Sequence, residues 1–114
     1  MHEISIAQSI CEVAEQAVFA NGGGRVISVF LKIGELSGVD SEALDFVWDA
    51  AISETSLEGS RLEIEKVPAS FSCGACGAEL FGRVLNTPVC EKCGSLLRIS
   101  GGREMEVSGL EIDQ

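Results

Sequence analysis

Two short steps, Cys73-Gly74-Ala75-Cys76-Gly77 and Cys90-Glu91-Lys92-Cys93-Gly94, hold four of the five cysteines in this chain and constrain its fold more than any other feature. Two residues between thiolates let a tight turn aim both sulfurs at one ion, and the glycine after each pair supplies the backbone torsions of that turn. A pair of such knuckles makes a zinc ribbon. Four soft thiolates with no histidine beside them select zinc, or less often iron, over hard cations, and four protein ligands leave no open position for substrate. Cys73, Cys76, Cys90 and Cys93 are therefore expected to hold one structural Zn(II). Two other uses of the same cysteines are open. Disulfides need an oxidising compartment, against which stands the lack of a basic n-region followed by an apolar h-region. A rubredoxin-like iron centre uses similar knuckles and predicts a coloured protein. Cys11 falls inside an apolar helical pattern and reads as a small buried hydrophobe.

With 114 residues the chain has room for one small core plus a module that folds around its ion. No apolar run approaches the ~20 residues that span a bilayer, so a soluble, cytoplasmic protein with no membrane partner is expected. Eighteen acidic against eight basic residues give a formal charge of −10, which repels nucleic-acid phosphates. Arg61, Lys66, Arg83, Lys92, Arg98 and Arg103 are scattered and form no basic run. No nucleic-acid partner is expected.

Residues 3 to 20 repeat Ile6, Ile10, Val13, Ala14, Ala17 and Val18 at three- and four-residue intervals, the pattern of an amphipathic helix, which Asn21-Gly22-Gly23-Gly24 ends. Those glycines are followed by a strand pattern and lack the Lys-Ser or Lys-Thr of a phosphate loop. Ile27, Val29, Leu31 and Ile33 then alternate with Val26, Ser28, Phe30 and Lys32, and the first set is expected to face the core. After a loop from Gly34 to Asp40, Leu44, Val47, Trp48, Ala51 and Ile52 predict a second helix from 41 to about Glu54, with Trp48 in the core. Arg61 to Val67 alternates Leu62 and Ile64 with Glu63 and Glu65. Met105 and Val107 alternate with Glu104 and Glu106 until a one-residue slip at Ser108-Gly109, before Leu110 and Ile112, signals a bulge.

Strands with one apolar and one charged face make a sheet covered on one side. The expected fold is α+β: a small three-stranded mixed sheet with two helices on one face, plus an inserted zinc ribbon. The strand, helix 41 to 54 and the next strand form a right-handed parallel crossover. Residues 1–68 and 101–114 form one domain and 69–100 the zinc-binding domain, with Pro68 and Pro88 marking the ribbon's approach and its second knuckle.

The N-terminus offers a second metal site. The Met1 amine, ionised backbone amides and the imidazole of His2, the one histidine in the chain, can form the square-planar nitrogen set that Ni(II) and Cu(II) favour. Glu3 and Asp40 are possible oxygen donors, although by position alone Glu3 is a first-turn acid and Asp40 a helix cap. The start Met1-His2-Glu3-Ile4-Ser5-Ile6-Ala7, the segment Gly34-Glu35-Leu36-Ser37-Gly38-Val39-Asp40 and the two cysteine pairs together resemble the HypA/HybF family of hydrogenase maturation factors over the whole length.

The resemblance implies a nickel metallochaperone, not an enzyme, that binds Ni(II) at its N-terminus and passes it to the precursor of the [NiFe]-hydrogenase large subunit. It implies His2 as the essential nickel ligand, with Met1, Glu3 and Asp40 contributing, and Cys73, Cys76, Cys90 and Cys93 as the zinc site. Its implied partners are a HypB-type GTPase and the hydrogenase large subunit. Unlike some members, this chain has no histidine beside its cysteine pairs, so a plain four-cysteine site is expected. The alternative is a zinc-ribbon adaptor for proteins or nucleic acid with no nickel role.

Overall fold

In the computed structural model, residues 3–81 and 89–113 are described; Met1, His2, Arg83 and Pro88 lie outside them. The elements follow the order α1 (Glu3–Ala20), β1 (Arg25–Gly34), α2 (Ser41–Ile52), β2 (Arg61–Val67), β3 (Ser70–Cys73), β4 (Glu79–Phe81), β5 (Leu97–Gly101) and β6 (Met105–Asp113). They build two sheets of three strands, ordered β2-β1-β6 and β4-β3-β5. β1 pairs in parallel with β2 across the α2 crossover and antiparallel with β6, so the first sheet is mixed, as expected. The second sheet is the ribbon, inserted between β2 and β6.

Ile6, Ala7, Ile10, Cys11 and Ala14 of α1 meet Leu44, Trp48 and Ile52 of α2 and Val29, Leu31 and Ile33 of β1 in one buried cluster. Trp48 is 2% exposed, and its indole nitrogen donates to the Ser60 carbonyl at 3.2 Å, so its one polar atom is satisfied where the chain enters β2. Cys11 lies in this cluster as expected, its sulfur 3.7 Å from Thr55 Oγ1 and Glu15 Oε1. Burial raises its thiol above the usual range, which suits a packing residue. α1 ends where Gly23 N–H donates to the Val18 carbonyl at 2.9 Å, with Gly22 and Gly23 at positive φ.

Three details depart from the sequence pattern. On β1, Val26 enters the core while Ile27 is half-buried, because the ladder skips Ile27 between the Val26–Ile112 and Ser28–Glu111 pairs and so inverts the alternation there. The expected slip on β6 is present: Phe30 pairs with Gly109 and Leu31 with Val107, leaving Ser108 as the extra residue, its hydroxyl donating to the Phe30 carbonyl at 3.2 Å. On α1, Val13 is half exposed, and Ala7 and Cys11 take the core positions instead. Finally, α2 stops at Ile52, where the Thr55 hydroxyl accepts from Leu57 N–H and donates to the Ile52 carbonyl.

The ribbon has its own small cluster of Ala69, Phe71, Cys73, Cys90 and Leu97, with Leu36, Ala78 and Leu80 packed against it. The radius of gyration is 17.6 Å, against about 13 Å for a compact chain of this length. Two lobes set end to end account for that excess, and the overall extents are 54 × 26 × 16 Å. Among the described residues no helix is long and apolar enough to cross a membrane.

Candidate metal centre

Each cysteine knuckle is a turn closed by its own backbone. In the first, Gly77 N–H donates to the Cys73 carbonyl at 2.9 Å and Cys73 N–H to the Ala78 carbonyl at 2.9 Å. In the second, Gly94 N–H donates to the Cys90 carbonyl and Cys90 N–H to the Ser95 carbonyl, both at 2.8 Å. Gly77 and Gly94 sit at φ 76° and 77°, and nothing crowds a Cβ at either place, so backbone conformation and not lack of space requires glycine there.

The two turns bring the four sulfurs within 4.8 Å of one another. Cys73 Sγ lies 3.5 Å from Cys93 Sγ and Cys76 Sγ 3.6 Å from Cys90 Sγ. A zinc–sulfur bond of about 2.3 Å implies tetrahedral edges of about 3.8 Å. The observed separations fit that tetrahedron and are far too long for disulfides, and all four cysteines are free. The donor set therefore fits one zinc ion, held by Cys73, Cys76, Cys90 and Cys93, which would supply cross-linking and no reaction chemistry. Cys73 and Cys90 are buried, whereas Cys76 and Cys93 are exposed.

As thiols the four are not equivalent. Cys93 accepts from the Ser95 hydroxyl and N–H, and these bonds hold it at about 6. Cys90 is lowered by the N–H groups of Cys93 and Lys92. Cys76 also accepts an N–H, from Ala78, but hydrogen bonds with Cys73 and Cys90 and loss of hydration outweigh it and push it up to about 11. The knuckles also differ in the residue after the glycine, which is Ala78 in the first and Ser95, whose hydroxyl reaches Cys93, in the second. Ser95 is a hydrogen-bond donor to the cysteine cluster that sequence reasoning missed, and aligning the two knuckles would have exposed it. The Arg98 guanidinium lies 3.9 Å from where a Cβ on Gly74 would stand, beside the first knuckle.

The other expected ligands are placed as follows. Asp40 is the N-cap of α2, its Oδ1 accepting from Glu42 N–H at 3.1 Å and Ala43 N–H at 3.2 Å. Glu3 is the first residue of α1 and half-buried. Among the described residues the four cysteines are the one group of three or more potential ligands brought together; neither Glu3 nor Asp40 belongs to such a group. Met1 and His2 lie outside the described residues.

Comparison with known proteins agrees with this architecture along the whole chain. Residues 1–112 match the family model described as "Hydrogenase/urease nickel incorporation, metallochaperone, hypA". The hydrogenase maturation factor HypA of Geobacter metallireducens is 43% identical, with 99% of this chain and all of the relative aligned. That of a Roseiflexus species is also 43% identical, over 99% of this chain and 93% of the relative. Among solved structures, the solution structure of the Ni metallochaperone HypA from Helicobacter pylori superposes with a TM-score of 0.70 at 27% identity, covering 98% of this chain and 97% of that one. The chain thus belongs to the HypA family of nickel-incorporation metallochaperones for hydrogenase maturation and is not an enzyme.

Proposed function

We propose that this protein binds Ni(II) at its N-terminus and delivers it to the [NiFe]-hydrogenase large subunit, with the four-cysteine site holding a structural Zn(II). The observation that carries this reading is the match to a nickel-incorporation family from residue 1 to residue 112, which takes in the Met1-His2-Glu3 start as well as the ribbon. His2 supplies the imidazole and Met1 the amine, with Glu3 and Asp40 as acidic contributors. Asp40 can cap α2 through Oδ1 and still present its other oxygen to an ion. Residues 1–68 and 101–114 form the nickel-binding unit, and 69–100 the zinc-binding unit. The partners are a HypB-type GTPase and the hydrogenase large subunit, in the cytoplasm.

Mechanistically, no bond of a substrate is broken. Nickel is cargo, held at a chain terminus where a partner's ligands replace the chaperone's own one at a time. Because bound amides and imidazole must shed protons, nickel affinity falls with falling pH. The test is titration of Ni(II) into protein with a free, untagged N-terminus, comparing wild type with His2→Ala, followed by a hydrogenase maturation assay. Stoichiometric nickel in wild type that is lost in His2→Ala, with zinc retained in both, is the expected result. Full maturation by His2→Ala would overturn the delivery mechanism.

A further inference from the structure

The two lobes are joined by two chain crossings, Val67-Pro68-Ala69 on the way into the ribbon and Gly101–Glu104 on the way out, and both touch the end of β1. β1 and β2 pair in parallel up to Gly34 and Val67. One step further, Glu35 N–H donates to the Val67 carbonyl at 2.9 Å. A continued parallel ladder would next take Ala69 N–H to the Glu35 carbonyl, skipping Pro68, which has no N–H to offer. The chain instead turns at this point, with Ser37 N–H donating to the Gly34 carbonyl at 3.1 Å. The Glu35 side chain supplies the missing acceptor: its Oε1 receives Ala69 N–H at 2.9 Å.

Ala69 is fully buried, so without that carboxylate its N–H has no acceptor in the described structure unless water enters. The outgoing crossing repeats the device. Gly34 N–H donates to the Glu104 carbonyl at 2.7 Å, Leu36 N–H to the Gly102 carbonyl, and the Glu104 carboxylate receives Gly102 N–H at 2.6 Å. Contact is so close that a Cβ on Gly34 would overlap the Gly102 carbonyl, and one on Gly102 would stand 2.7 Å from the Ala69 Cα. Leu36, the next residue, packs against the ribbon's cluster instead of the larger core.

We propose that Glu35 is the positioning residue that fixes the direction in which the ribbon leaves the sheet, its carboxylate standing in for a ladder carbonyl at the crossing. The claim concerns orientation between the lobes and does not depend on where nickel binds. The loop that latches the ribbon at Glu35 ends at Asp40, the α2 cap.

The test uses the full-length, zinc-loaded protein and its variants Glu35→Ala and Glu35→Gln. Residual dipolar couplings are collected separately for amides of the sheet lobe and of the ribbon (70–81 and 89–101), with zinc content and Trp48 fluorescence as controls. Wild type is expected to give one alignment tensor for both lobes, and two tensors in wild type overturn the proposal. Glu35→Ala is expected to give two different tensors with zinc and Trp48 emission unchanged, and Glu35→Gln, which keeps a carbonyl acceptor, to restore one. A shared tensor in Glu35→Ala overturns the proposal. If Glu35→Ala loses zinc or fails to fold, Glu35→Gln decides: a folded, zinc-loaded protein with one tensor supports the latch, and two tensors or failure to fold overturns it.

Discussion

The two lobes reach order by different routes. The sheet lobe buries thirteen residues in one cluster, from Ile6 to Leu57, and every one of them packs as a hydrophobe. Among the described residues the ribbon's cluster has five, and two of those, Cys73 and Cys90, are members of the four-sulfur group. A cluster of that size offsets little chain entropy, whereas a bound structural zinc supplies on the order of 10–16 kcal/mol in small metal-binding peptides. One lobe is ordered by excluding water; the other brings together four sulfurs that can hold an ion.

Removing the metal breaks the comparison most completely. Chelation, or Cys73→Ser, is expected to unfold the ribbon while α1 and α2 keep their helical circular dichroism, and amide exchange mapped by lobe checks it. Acid acts in the same direction, because protons compete for the thiolates. Zinc loading should therefore release protons from the four cysteines, and its apparent affinity should rise with pH. Calorimetry in buffers of different ionisation enthalpy gives the count.

The reverse experiment is Trp48→Ala. Emptying that position should destabilise the sheet lobe by about 3–5 kcal/mol in a denaturant titration while the ribbon keeps its zinc. Zinc lost together with unfolding of the sheet lobe would show that the lobes fold as one unit. Smaller effects sharpen the contrast. Gly94→Ala forces a side chain into the left-handed region at a cost of about 1–2 kcal/mol, felt as faster zinc loss with no change in the sheet lobe. Asp40→Ala removes the α2 cap and should cost the sheet lobe about 1 kcal/mol. Comparison with Asp40→Ser, which restores a cap without a carboxylate, separates capping from any role in nickel binding.

How much could be read from the sequence follows the same division. Helical and strand periodicity over ten or more residues located α1, β1 and α2, and the Cys-x-x-Cys spacing located the four-cysteine cluster, because each pattern is local. The β6 slip was legible because Ser108-Gly109 interrupts a clean alternation. The β1 slip was not: Val26 and Ile27 are both apolar, so either phase satisfies the pattern. β3, β4 and β5 are three to five residues long, too short for a period to show. Glu35 was visible only as part of a family segment, since its bond to Ala69 spans thirty-four positions and exists only once the lobes meet.

The Ser108 bulge has a consequence for how copies of this protein behave together. β6 is a nine-residue strand at the edge of its sheet, and a long, flat edge of unpaired N–H and C=O groups is a template for the strand of another molecule. Here the extra residue kinks that edge near its middle, and Glu106, Glu111 and Asp113 place carboxylates along it. A second copy approaching edge to edge would meet a broken row of backbone partners and a line of like charge. The irregularity that spoils the alternation of β6 thus protects a strongly paired sheet from growing into a fibre.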